Sequence, residues 1–239
     1  MHTQHDHIVK QYDAELDRLT GEIARMGAIA VEQLHVAIDA LEARDDNTAR
    51  RVIAHDSAID RLEQEVSHDV VRLLALRQPM ASDLREILAA LKIASDIERI
   101  GDYAANVAKR SLVLNTLPAV AAGRGLRALS QLAGDMLGEV LAAYRDRDDE
   151  AALRVRARDA DLDAMYTALF RELLTYMAED PRHISSSIHL LFIAKNIERI
   201  GDHVTNIAEN AWFVVHGELP PEPREKRDQT ASPHVSPAR

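Results

Sequence analysis

The sequence predicts an all-α protein, two tandem three-helix bundles related by internal duplication. Three observations predict it. Apolar residues recur at a 3-4 stagger through six long stretches, the period of a helix that buries one face. Aromatic residues make up 4% of the chain, and Gly and Pro number only 9 and 8, so strand-forming and turn-forming residues are scarce. One sixteen-residue stretch also occurs twice, at 93–108 and 193–208, offset by 100 with no gap and with ten identical positions.

The first helix is expected over about 8–43, after a polar and frayed start at 1–7. Leu16, Leu19, Ile23, Met26, Ala30, Leu34, Ala37 and Leu41 mark its apolar stripe. A rod of that length, about 54 Å at 1.5 Å per residue, needs neighbours to bury the stripe. Asp45, Asp46 and Asn47 form a turn and N-cap cluster. The second helix is expected over 48–77, with Val52, Ile59, Leu62, Val66, Leu73 and Leu76 inward. Asp56 follows Val52 by four and precedes Ile59 by three, so it falls on or beside that stripe, an expensive place for a lone charge. Pro79 ends this helix at or before Gln78. Ser82 or Asp83 is positioned to cap the third helix, which runs to 114 and carries the first copy of the repeated stretch.

Residues 115–125, with Pro118, Gly123 and Gly125, divide the halves. They give a first bundle over 1–117 and a second over 118–217. The fourth helix takes Leu126, Leu129, Leu132, Met136, Val140 and Tyr144 inward. Arg147-Asp148-Asp149 then echoes Arg44-Asp45-Asp46. In the fifth helix Asp159 and Asp163 match Asp56 and Asp60 at an offset of 103, and Asp180-Pro181 echoes Gln78-Pro79. The sixth helix, 185–215, carries the second copy. Gly217 reads as a helix stop. The Pro-rich, charged stretch 218–239 is expected to be disordered.

Charge and composition exclude several function classes. The net charge is −10, so no electrostatic footprint for nucleic acid exists. There is no Cys, which rules out disulfides and thiolate metal sites. No apolar run approaches the roughly 20 residues of a membrane span, and the N-terminus lacks a signal-peptide core, so a cytoplasmic location is expected. No Gly-rich phosphate loop, nucleophile elbow or Ser/His/Asp array stands out, and catalysis is not indicated.

The chemistry that does stand out is carboxylate. In each copy Glu, Asp and Asn recur at i, i+4 and i+8: Glu98, Asp102 and Asn106, then Glu198, Asp202 and Asn206. That spacing aligns them on one helix face, neighbours about 5–6 Å apart. Taken alone, Glu98-x-x-x-Asp102 reads as a solvated face with Arg99 as ion-pair partner. The duplication changes that reading. Each half has two acidic pairs on adjacent helices, Asp56/Asp60 with Glu98/Asp102 and Asp159/Asp163 with Glu198/Asp202. Antiparallel packing can gather each four, and carboxylates so gathered repel until a cation joins them. Hard cations suit an all-oxygen site, and iron is possible where imidazole is scarce. Asn106 and Asn206 are either further oxygen ligands or solvent-facing. Gly101 and Gly201 cost about 1 kcal/mol each inside a helix, which fits close helix approach beside the acids. A di-iron oxidase or metal store is the alternative to weigh. Glu32-x-x-His35 and Glu65-x-x-His68 have its spacing, yet neither pair is duplicated in the second half.

The stretch from Glu98 through Gly101-Asp102 to Ala104, its copy from Glu198 to His203, and Gln78-Pro79-Met80-Ala81-Ser82-Asp83-Leu84-Arg85 resemble the PhoU family of phosphate-signalling regulators. The likeness covers about 5–216. It implies multinuclear metal clusters on the acidic motifs, with Asp56, Asp60, Glu98, Asp102, Asp159, Asp163, Glu198 and Asp202 as ligands to iron, manganese, zinc or magnesium. It also implies a negative regulator of the phosphate-starvation response. Such an adaptor couples the phosphate ABC transporter, through its ATPase subunit, to a sensor histidine kinase, as a homodimer that meets the membrane only through its partners. The second half departs from the pattern before its motif, where Pro181-Arg182-His183-Ile184 replaces Pro79-Met80-Ala81-Ser82 and the Asp83-Leu84-Arg85 unit has no copy.

Overall fold

A computed structural model describes residues 2–77, 79, 81–120, 123–221, 228 and 230, with the backbone alone at 2–13, 77, 123 and 124. The described residues hold six long helices and no strand: α1 (His2–Ala43), α2 (Asp46–Arg77), α3 (Ser82–Leu114), α4 (Gly123–Asp146), α5 (Asp149–Glu179) and α6 (Ile184–His216), with a 3₁₀ turn at Pro181–His183 before α6. Every expected helix is present. The expected start of the first lies six residues inside α1, which begins at His2.

The two turns built from Arg-Asp-Asp are copies of one device. Asp45 donates its N–H to Ala40 O (2.9 Å) and Arg44 to Leu41 O (3.3 Å), while Asp148 and Arg147 do the same to Ala143 O and Tyr144 O. This is the Schellman closure, with Arg44 (φ 52°) and Arg147 (φ 53°) where glycine is usual. The next residue caps the following helix, since Asp45 accepts from the Thr48 N–H and Asp148 from the Ala151 N–H. The arginines compensate for their strained backbone with long-range contacts. Arg44 donates to Leu114 O and Leu117 O at 2.9 and 2.8 Å, and Arg147 pairs with Glu86.

Two end signals turned out differently from each other. Gly217 takes the left-handed conformation (φ 79°) and donates to Phe213 O, as a helix stop should. The start of α3 does not use the expected side-chain cap. Ser82 and Asp83 lie inside the helix, and the residue before them, Ala81 (φ 43°), offers no side-chain oxygen. The free hydroxyl and carboxylate meet each other at 3.2 Å instead.

Helix α3 packs on α1 and α2, α6 packs on α4 and α5, and the halves join through α3 against α6 and α1 against α4. The two central helices run antiparallel, as paired contacts show. Lys92 lies over Phe213, Asp96 meets His203, and Arg110 covers Phe192. Both are buried along stripes rich in Ile and Ala, from Ile87 to Ala108 in α3 and from Leu190 to Ala211 in α6. Ala and Gly let these helices approach closely. A Cβ on Gly101 would lie 2.7 Å from Ile59 Cδ1, and one on Gly201 would run into Leu162. Among the described residues no helix is long and apolar enough to cross a membrane.

Candidate functional site

In each half the second and third helices bring the two acidic pairs together. In the first half α2 supplies Asp56 and Asp60, and α3 supplies Glu98 and Asp102. Their mutual influence is visible in protonation. Burial pushes the Asp56 carboxyl above its ordinary value, and the charges of Asp102 and Asp60 push it further, against Lys109. Burial likewise raises Glu98, with Asp102, Asp60 and Glu63 adding to it and Arg99 opposing. All four are half-buried rather than sealed. Arg99 is 3.5 Å from Glu98 and 3.3 Å from Asp102, but its side chain is 58% exposed, so water screens much of its charge.

The second half gathers the matching residues in a deeper setting. Asp159, Asp163 and Glu198 are 1%, 2% and 4% exposed. Burial raises the Glu198 carboxyl, and the Lys195 ammonium opposes that from 2.7 Å. Burial also works against the charge on Lys195, yet its contacts with Glu198 and Asp228 outweigh it and its pKa is raised. Lys195 sits over the Tyr166 ring as well, 5.1 Å from the centroid. A fifth carboxylate, Asp228, stands 3.1 Å from Lys195 Nζ, and its backbone N–H donates to Asp163 Oδ2 at 3.1 Å.

The composition of 218–239 gave no reason to expect these last contacts. Residues 222–227, 229 and 231–239 of that stretch lie outside the described residues, whereas Asp228 and Thr230 are held against α5 and α6. Lys195, Tyr166 and Asp228 were also missed as site residues. A signal for the first two existed in the repeat itself, because Lys195 stands where the first half has Ser95, and Tyr166 where it has Glu63.

The other singled-out residues settle elsewhere. Asn206 donates to Asp96 Oδ1 across the α3–α6 junction at 3.2 Å, beside the 2.8 Å contact between Asp96 and His203. Arg199 reaches Tyr103 at the same junction. His35 packs against Gly134 on α4. Glu65 and His68 line an open cleft with Arg18, Glu22 and Asp69 on the α1–α2 face. Neither Glu-x-x-His pair therefore joins the acidic faces.

Among the described residues no three His, Asp or Glu side chains are already closed up as a metal site. The donor chemistry still separates the halves. The first has all-oxygen donors, half-exposed and mutually repelling, which suits a hard cation. The second already contains an ammonium group among its buried carboxylates, which does the same electrostatic work.

Comparison with known proteins adds the following. The family model described as "PhoU domain" matches twice, over residues 23–111 and 126–211. The phosphate-specific transport system accessory protein PhoU homolog of Xylella fastidiosa (strain 9a5c) is 61% identical over 226 residues, 95% of each chain. The homolog of the same name from Rhizobium meliloti is 46% identical over 230 residues, 95% of this chain and 97% of the other. The crystal structure of PhoU from Pseudomonas aeruginosa superposes with a TM-score of 0.82 at 37% identity, covering 87% of this chain and 100% of that one. The phosphate transport system regulatory protein PhoU from Streptococcus pneumoniae gives a TM-score of 0.80 at 29% identity, covering 87% and 98%.

Proposed function

The chain belongs to the PhoU family, and on that premise we propose that it is a non-enzymatic accessory regulator of phosphate-specific transport. In this reading it is a cytoplasmic homodimer that docks on the ATPase subunit of the phosphate ABC transporter and on a sensor histidine kinase. When phosphate is plentiful it keeps the starvation response off.

The single observation that supports the reading is the pair of gathered carboxylate faces, one per half, on helices that pack against each other. Asp56, Asp60, Glu98 and Asp102 would hold a divalent or trivalent cation in the first half, and Asp159, Asp163, Glu198 and Asp202 in the second. A bound cation would supply charge neutralisation and a rigid link between the second and third helices of a half. An acidic surface set around such a link steers association with a basic partner patch. The oxidase alternative draws no support from the geometry, since His35 and His68 lie away from both faces.

The test is Asp102→Ala combined with Asp202→Ala, returned to cells that lack the chain and carry a phosphate-starvation reporter. Loss of repression in high phosphate, with the variant still folded by circular dichroism, is the expected result. Intact repression would separate the carboxylate faces from the regulation.

A further inference from the structure

The two acidic faces differ in what covers them, and the difference is local. Beyond α6 the chain returns to the second face at Asp228 and Thr230. Three contacts hold it there. The Asp228 N–H donates to Asp163 Oδ2 on α5 at 3.1 Å. The Asp228 carboxylate accepts from Lys195 Nζ on α6 at 3.1 Å. The Thr230 side chain hydrogen-bonds Tyr166 on α5. The segment is also pre-shaped, because Thr230 donates from its N–H (2.9 Å) and Oγ1 (2.6 Å) to Asp228 Oδ1.

An acidic residue seated on an acidic face requires an explanation, and Lys195 supplies it. Its ammonium lies between Glu198 (2.7 Å) and Asp228 (3.1 Å) and serves both. The residues that receive the segment include two at which the second face departs from the first. Ser95 carries no charge where Lys195 does, and Glu63 would repel Asp228 where Tyr166 bonds Thr230. The segment lies beyond both matched PhoU domains, which end at 211.

We propose that the segment around Asp228 and Thr230 is the resident occupant of the second carboxylate face, and that its seating and cation binding there exclude one another. The exclusion follows from a shared carboxylate and, chiefly, from like charge. A cation on the second face would draw on the Asp163 carboxylate that receives the Asp228 N–H, and would sit beside the Lys195 ammonium, which repels it. The docking stands on these contacts alone, and the exclusion rests on the metal reading given above.

Hydrogen exchange on the full-length chain, read by mass spectrometry, tests both. In chelator, the peptide carrying Asp228 and Thr230 is expected to exchange about tenfold faster in Asp228→Ala and in Lys195→Ser than in the unaltered chain, the effect of losing one charge-assisted hydrogen bond. Asp228→Ala lies outside the helices, so its fold is not at risk. Equal exchange in all three proteins overturns the docking. Saturating Mn²⁺ is then expected to speed exchange at Asp228 and Thr230 in the unaltered chain, and slowed exchange would make the segment a ligand and overturn the exclusion. Failure of Mn²⁺ to bind in either half overturns the metal reading and the exclusion with it, while the docking is judged by the metal-free comparison.

Discussion

The first half of the molecule leaves its four carboxylates half-exposed, with the screened Arg99 beside them and Lys109 near Asp56, whereas the second buries three of its four and pairs Glu198 with Lys195. The skeletons are otherwise alike: the same helix order, the same Arg-Asp turn, the same glycine under the acids. What differs is how the negative charge is balanced. One face relies on solvent and, in our reading, on a bound cation. The other pairs its buried Glu198 with Lys195, which also holds Asp228 over the face. Three of the differing positions beside the acids are Ser95 against Lys195, Glu63 against Tyr166 and Lys109 against Glu209.

The largest effect should come from removing the lysine paired with Glu198. Lys195→Met leaves Glu198 buried and uncompensated, which costs about 2 kcal/mol after allowance for the partly exposed lysine. Arg99→Met in the first half should cost less than about 0.5 kcal/mol, because that arginine is exposed. Urea midpoints of the two variants measure the contrast, and equal losses would mean that the halves are balanced in the same way.

Packing beneath the acids should come next. Gly201→Ala pushes a methyl group into Leu162 and to within 3.0 Å of Asp159, so a net loss of about 1–2 kcal/mol is expected even after the gain in helix propensity. Gly101→Ala meets only the tip of Ile59 within 3 Å and should lose less. Thermal unfolding of both variants orders the two sites. The reverse order would place the tighter helix approach in the first half.

A smaller effect concerns pH. Burial raises the Glu86 carboxyl above its ordinary value, with Arg147 opposing. The folded state thus holds this proton more tightly than the unfolded state does. The resulting stability is fully present below the unfolded carboxylate pKa and is lost as pH rises through the higher folded value. Glu86→Gln should flatten the change in unfolding free energy between about pH 4 and 7, by less than about 1 kcal/mol, read from urea midpoints. The matching position in the second half, Ser186, donates to Pro118 O at 2.7 Å and does not ionise in this range. Ser186→Ala should leave the pH profile unchanged in shape.

The helices were legible because each burial stripe is local in sequence. Leu19, Ile23, Met26, Ala30 and Leu34 announce α1 by spacing alone, and all five are buried. The acidic faces were legible because duplication keeps them in register. The missed cap of α3 has a backbone cause, since Ala81 adopts a conformation that no side-chain pattern signals. Lys195 lies within the repeat at a position where the copies differ, whereas the acidic pattern stands at positions where they agree. Asp228 was not legible at all. It meets Asp163 across 65 residues from within a polar, Pro-rich stretch, and no periodicity marks a two-residue contact.

Cation binding by Asp102→Ala and Asp202→Ala, taken separately, tests the contrast between the halves most directly. Mn²⁺ titration by isothermal calorimetry on each full-length variant is the measurement. Loss of the tighter binding class in Asp102→Ala, with that class retained in Asp202→Ala, is the result this account expects. Equal loss in both variants, or loss in Asp202→Ala alone, would contradict it.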